Sequence, residues 1–268
     1  MPALIATLVL LIFAGYLLLF ARSTFVLAYH GVGTEHSEIP ALMIQPGAFR
    51  RQMRLLAALG FRSRTVDSVV ETLSKEGRPW LPLLSVTFDD GYRNIRENAL
   101  PLLRAMGWSA TLFVPTGHVG GRNEWDRNKN VASIPLLDWN DLQLLSEQGI
   151  SVGSHGKTHR SLTDLTEDEV RAELRDSLAA LRSHLPASSR VLSYPFGHRH
   201  PKLGPLLQQE GYIAACSLVA GALPSSDDLF DLGRLCVRGN SIIQFAYDLA
   251  VYPMKGLLRN LLRRQRGK

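Results

Sequence analysis

The chain has 268 residues, 46% of them hydrophobic and 20% charged, which is enough apolar material for a sizeable core and too much for disorder to dominate. Its net charge of +6 suggests nucleic acid only until it is located: Lys255, Arg259, Arg263, Arg264, Arg266 and Lys268 carry the excess with no acid among them. The rest of the chain is balanced, and a nucleic-acid partner is not expected.

In chain order, the opening run "MPALIATLVLLIFAGYLLLFA" carries no charged side chain, and about 20 apolar residues suffice for a helix to cross a bilayer. It has neither the basic start nor the small-x-small cleavage site of a signal peptide. We therefore expect an uncleaved, single-pass transmembrane helix over 1–22, a folded domain over 24–250, and a basic tail over 251–268. In that tail Leu257, Leu258, Leu261 and Leu262 recur at helical spacing. The tail fits an anionic lipid surface or a solvated basic end equally well.

Within the domain, short apolar runs read as strands: "TFVLAYHGV", "LLSVTFDD", "ATLFVPTG", "GISVGSH", "VLSYPFG", "IAACSLVA" and "LGRLCVRG". Helix-period stretches lie between several of them. "PGAFRRQMRLLAALG" has a proline near its start and a glycine at its end, "NIRENALPLLRAMG" and "LDWNDLQLLSEQG" also stop at glycine, and "LTEDEVRAELRDSLAALRSHL" opens with Thr166 and Glu169 at capping-box spacing. Strand–helix alternation predicts an α/β fold with a mainly parallel sheet. In such sheets functional groups gather at the carboxyl ends of strands.

Several strand ends are polar in a way packing alone does not favour. Asp89 and Asp90 are adjacent like charges closing a run that reads as buried, and Tyr29 and His30 close "FVLAYH". His155 and His159 form an H-x-x-x-H after "ISVGS", and the run from Val191 ends in "SYPFGHRH". Two such histidines with a carboxylate from elsewhere make a common three-ligand set for a catalytic divalent metal. Alone, each piece has a blander reading: a turn for Asp-Asp-Gly, surface histidines for H-x-x-x-H, a turn with aromatic flanks for "YPFG". His198 and His200 form an H-x-H that could compete for metal, whereas His36, His118 and His184 look like surface residues. Cys216 and Cys236 lie in separate apolar stretches and make no metal pair or disulfide framework.

"TFDDG", "SHGKTH" and "YPFG", in that order, resemble the successive motifs of the polysaccharide deacetylases of the NodB-homology type, carbohydrate esterase family 4. The run "LDWNDLQLLSEQGISVGSH" is also similar to that family's lead into its metal histidines. The resemblance spans roughly residues 24–250 and implies a distorted (β/α) barrel with fewer than eight repeats. It implies a metal-dependent hydrolase removing N-acetyl groups from amino sugars of a surface polysaccharide or lipid-linked glycan, with the catalytic domain outside the cytoplasm. By the same resemblance Asp90, His155 and His159 would hold the metal, zinc or alternatively cobalt, nickel or iron. Asp89 would be the general base and the backbone N–H of Tyr92 an oxyanion donor. Tyr194, Pro195 and Phe196 would lie along the substrate site, where Trp125 and Trp139 are further candidates for stacking on sugar faces.

No histidine follows His200, so the family's C-terminal general acid has no counterpart. The early "YH" is similar to the circularly permuted branch that includes poly-N-acetylglucosamine deacetylases, which implies His30 as the acid. The chain departs from the family at Ser193, where classical members have an arginine that orients the base, and at Gly156, where they carry a hydroxyl. Two alternative readings are a catalytically weak carbohydrate-binding component that kept the barrel, and a deacylase of another amide or an O-acetyl ester.

Overall fold

The computed structural model describes residues 2–39, 41–76, 81–219 and 226–266. Side chains from residue 259 onward lie outside the described residues, and with them most of the basic tail.

Every apolar run forms a strand. Thr24–Tyr29 (β1) is buried at all positions and is followed by two two-residue strands, Gly31–Val32 (β2) and Met43–Ile44 (β3), which pair with each other. Then come Leu83–Phe88 (β4), Ala110–Val114 (β5), Ser151–Ser154 (β6), Val191–Ser193 (β7), Ala214–Ser217 (β8), Leu232–Gly233 (β9) and Leu235–Cys236 (β10). Continuous apolar sequence suits strands covered on both faces. Eight of these form one sheet in the order β10-β1-β4-β5-β6-β7-β8-β9, and every pairing along it is parallel. The sheet curls into a nearly closed barrel. Its seam lies between β9 and β10, neighbours in sequence but at opposite ends of the strand order, with Arg234 alone between them.

The helices are Pro2–Ala21 (α1), Pro46–Ala58 (α2), Val66–Glu76 (α3), Asn94–Asn98 (α4), Leu100–Ala105 (α5), Trp139–Glu147 (α6), Glu167–His184 (α7), Leu203–Gln209 (α8) and Ile242–Arg266 (α9). Among the described residues no α-helix separates β8 from β9, and none fits between β9 and β10, so the strand–helix repeats number fewer than eight. The expected capping box is formed: the Thr166 side chain accepts from the Glu169 N–H, and Glu169 accepts from the Thr166 N–H. From that start α7 buries Val170, Glu173, Leu174, Ser177, Leu178 and Leu181. This is one helical stripe, and its two polar members face the loop after β6.

For the N-terminal run the expectation is a transmembrane helix over 1–22. The run does form a helix, but among the described residues no helix is long and apolar enough to cross a membrane. The end of α1 is committed to protein. The Tyr16 hydroxyl donates to the Ala250 carbonyl of α9 at 2.9 Å, and the Phe20 ring lies 5.1 Å from that of Phe25 and 5.9 Å from that of Phe61. Around these contacts Leu10, Leu11, Phe13, Leu17 and Leu18 remain exposed.

Candidate metal centre

The site begins where β4 stops. After Phe88 the backbone turns left-handed at two successive residues, Asp90 (φ 70°) and Gly91 (φ 72°). At Gly91 a Cβ would sit 3.0 Å from Val114 Cγ1, in a conformation other residues rarely adopt. The Asp89 N–H donates to the Tyr29 carbonyl at 2.9 Å, so Asp89 and His30 leave neighbouring strand ends side by side. The His155 N–H donates to the Val114 carbonyl at 2.9 Å, fixing the first histidine at the end of β6. His159 arrives through the following loop with φ 60°. Left-handed Asp90 and His159, together with Phe196 (φ 59°), concentrate backbone strain in this one region.

Asp90, His155 and His159 are all buried, with ligand atoms within 4.8 Å of one another, and they are the one such group among the described residues. Asp90 Oδ1 lies 3.4 Å from His155 Nε2 and 3.0 Å from His159 Nε2, yet it is buried and accepts no hydrogen bond. The His155 Nδ1–H donates to the Ser193 carbonyl at 2.7 Å, which leaves the Nε2 lone pair free to ligate. Burial alone would raise the Asp90 carboxyl, but His155 and His159 outweigh it and hold it well below the ordinary carboxylate range. Burial pushes the His159 imidazole down, toward its neutral ligand form. An orphaned carboxylate oxygen beside two imidazole nitrogens is a donor set that fits a divalent cation.

Asp89 has a different partner. The Arg234 guanidinium grips it with two bonds of 2.7 Å, Nη1 to Oδ1 and Nη2 to Oδ2. The Ser193 hydroxyl donates to Asp89 Oδ2 at 3.1 Å and accepts from Arg234 at 2.8 Å, while Arg234 also reaches the Thr87 hydroxyl at 3.1 Å. Burial opposes ionisation of Asp89; Arg234, then His155, reverse that, and the carboxyl ends below its ordinary value. The arginine absent at Ser193 is therefore supplied from the barrel seam. Sequence reasoning passed over Arg234, although an arginine set between the apolar residues of "LGRLCVRG" was the available signal.

The other expected residues divide. His30 is close enough to stabilise both aspartates electrostatically. Tyr92 is fully buried, and its hydroxyl donates to Asp126 at 3.2 Å. Tyr194 is also buried, with its hydroxyl donating to the Phe230 carbonyl at 2.9 Å, and Pro195 is buried beside it. Phe196 is 41% exposed and stands edge-on to His159 at 4.8 Å. Trp125 stacks on His159 at 4.3 Å, whereas Trp139 stacks on His184 of α7 at 4.1 Å. The H-x-H pair stays out of the cluster: His198 Nδ1 meets the Ser161 hydroxyl at 3.1 Å, and His200 Nδ1 accepts from the Lys202 N–H at 3.2 Å. Cys216 and Cys236 are free thiols.

A family model described as polysaccharide deacetylase matches residues 81–215, a span from the start of β4 into β8. Among named relatives, YxkH of Bacillus subtilis (strain 168) is 24% identical over 212 residues, covering 79% of this chain and 70% of its own. The poly-beta-1,6-N-acetyl-D-glucosamine N-deacetylase of Escherichia coli (strain K12) is 23% identical over 264 residues, which is 85% of this chain but 39% of that protein. Among solved structures, IcaB from Ammonifex degensii aligns with a TM-score of 0.73 at 23% identity, covering 87% of this chain and 97% of that one. At that identity the last match is a likeness of fold.

Proposed function

The chain belongs to the polysaccharide deacetylase family, and from that premise we propose that it is a metal-dependent hydrolase removing N-acetyl groups from amino sugars of a surface polysaccharide or lipid-linked glycan. The observation that carries the reading is the buried Asp90, His155 and His159 cluster with an ionised, arginine-held Asp89 beside it. Asp90, His155 and His159 would hold the cation, zinc by its donor set, with cobalt, nickel or iron also compatible. A cation held there would supply Lewis acidity toward the acetyl carbonyl and the attacking water. Asp89 accepts that water's proton at a carboxylate oxygen, with Arg234 and Ser193 fixing its orientation. The backbone N–H of Tyr92 donates to the developing oxyanion. His30 gives a proton to the departing amine nitrogen. Phe196 and Trp125 offer aromatic surface to a sugar face next to His159.

We also propose that α1 attaches the domain to a membrane surface, with the basic tail against anionic lipid and the catalytic domain outside the cytoplasm. The exposed Leu10 (67%), Leu11 (65%), Phe13 (57%), Leu17 (50%) and Leu18 (52%) support attachment. Flotation of the full chain with vesicles that contain phosphatidylglycerol checks this, and recovery in the protein-only fraction argues against it.

The function is tested by acetate release from N-acetylglucosamine oligomers, using the full chain in detergent before and after chelation and after adding zinc. Loss on chelation and return with metal is the expected result. Activity that survives thorough chelation, or is unchanged in Asp90→Ala, overturns it. An O-acetylated oligomer assayed alongside separates amide from ester hydrolysis.

A further inference from the structure

The two metal histidines are held in unequal ways. His155 is oriented through its second ring nitrogen, which donates to the Ser193 carbonyl. His159 has no such support: its Nδ1 is buried and makes no hydrogen bond, and its backbone is left-handed at φ 60°. A metal-ligating imidazole ordinarily has its second nitrogen tied down, so His159 must be positioned by its ring contacts and by the loop that carries it.

That loop is tied to the Thr116 and Gly117 N–H groups, which donate to the Gly156 and Lys157 carbonyls at 3.1 and 2.8 Å, and to one buried carboxylate. Glu173 on α7 is 7% exposed. Its Oε2 accepts from the Lys157 N–H at 2.7 Å and the Thr158 N–H at 2.9 Å, and its Oε1 accepts from the Thr158 hydroxyl at 2.6 Å. Among the described residues no lysine, arginine or histidine forms an ion pair with Glu173. Its charge is answered by three neutral donors of the loop, the arrangement in which successive backbone amides cradle an anion. Ser177, one turn further along α7, donates to the Gly156 carbonyl at 3.1 Å. Gly156 is also explained. Its φ is +75°, and a Cβ there would lie 3.2 Å from Glu173 Oε2, so glycine leaves room for the carboxylate to close on the loop.

We propose that Glu173 is the positioning residue for His159, setting metal affinity through the 156–158 backbone without touching the metal or the substrate. The proposal rests on the metal-dependent reading above. It also accounts for the missing hydroxyl at Gly156, since an acceptor from α7 takes over the bracing of the loop.

The test is titration of the metal-free full chain in detergent with Co²⁺, followed by its visible absorption bands, and with Zn²⁺ by competition, in the wild type, Glu173→Gln and Glu173→Ala. Thermal unfolding of each metal-free protein is measured alongside. The expected result is an affinity about 10- to 100-fold weaker in Glu173→Ala, with altered Co²⁺ band intensity and partial recovery in Glu173→Gln. A role in stability alone would lower the unfolding midpoint and leave affinity and bands unchanged. If Glu173→Ala does not fold, Glu173→Gln decides, with Thr158→Val as a second variant removing one of the three donors. Wild-type affinity and spectra in every folded variant overturn the proposal while the functional reading stands. Failure of the wild type to bind either metal overturns both.

Discussion

At Asp89, burial and charge act against each other, and Arg234 decides the outcome. A buried carboxylate left without its cation is costly, so Arg234→Met is expected to destabilise the protein by about 3–5 kcal/mol, read from denaturant unfolding. It also reverses the direction of the Asp89 shift. With Arg234 present the carboxyl of this proposed base lies below its ordinary value and stays ionised into mild acid. Without it burial prevails, the carboxyl rises, and the acid limb of the pH profile of kcat/KM moves to higher pH. A limb that stays in place would mean that Arg234 does not tune the base. The sequence exposed Asp89, Asp90, His155, His159 and His30 because each is a polar residue at the end of an apolar run. Arg234 and Glu173 were hidden for a shared physical reason. One lies within a strand-like run and the other on a helix stripe, and both find their partners only through tertiary contact.

Among the secondary elements, strands were more legible than helices because both faces of a parallel strand are covered and the sequence reads as unbroken apolar runs. α2, α6 and α7 were visible from their period and their ends. α3 was not, since its buried face is mostly valine, a β-branched residue that reads as strand. α8 was lost to the Gly204 and Pro205 within it. The single helix expected over "NIRENALPLLRAMG" divides into α4 and α5 at Ala99, because the Pro101 ring obstructs the carbonyl one turn earlier. In β6 the limit is space. A Cβ on Gly153 would lie 2.8 Å from the Val191 carbonyl and 2.9 Å from Phe113 Cε1, so β7 and the Phe113 ring close in only over a bare backbone. Gly153→Ala is expected to cost about 1–3 kcal/mol by overpacking and, because His155 lies just beyond, to weaken Zn²⁺ binding in the same competition titration. An unchanged unfolding midpoint would show that the strand can shift.

For the molecule as a whole, alternation along the chain gave the class of fold, but not the failure of the sheet to close between β9 and β10, which depends on two short strands pairing at opposite ends of the order. The apolar N-terminus was plain in sequence; its attachment to α9 and the Phe25–Phe61 cluster was not, because those partners are distant in the chain. That attachment has a spatial result. α1 feeds the amino end of β1, whereas His30, Asp89 and His155 emerge from the carboxyl ends of β1, β4 and β6. β1 has six residues, a rise of about 20 Å, so on the membrane attachment proposed above the mouth of the barrel would stand a sheet's height from the surface that holds α1. A lone sugar on a lipid carrier in that same surface falls short, while a strand of many sugars looping above it comes within reach. Vesicle-bound enzyme is therefore expected to release acetate from long soluble oligomers and to leave an embedded lipid-linked N-acetylglucosamine intact; equal release from both would show that no such gap exists.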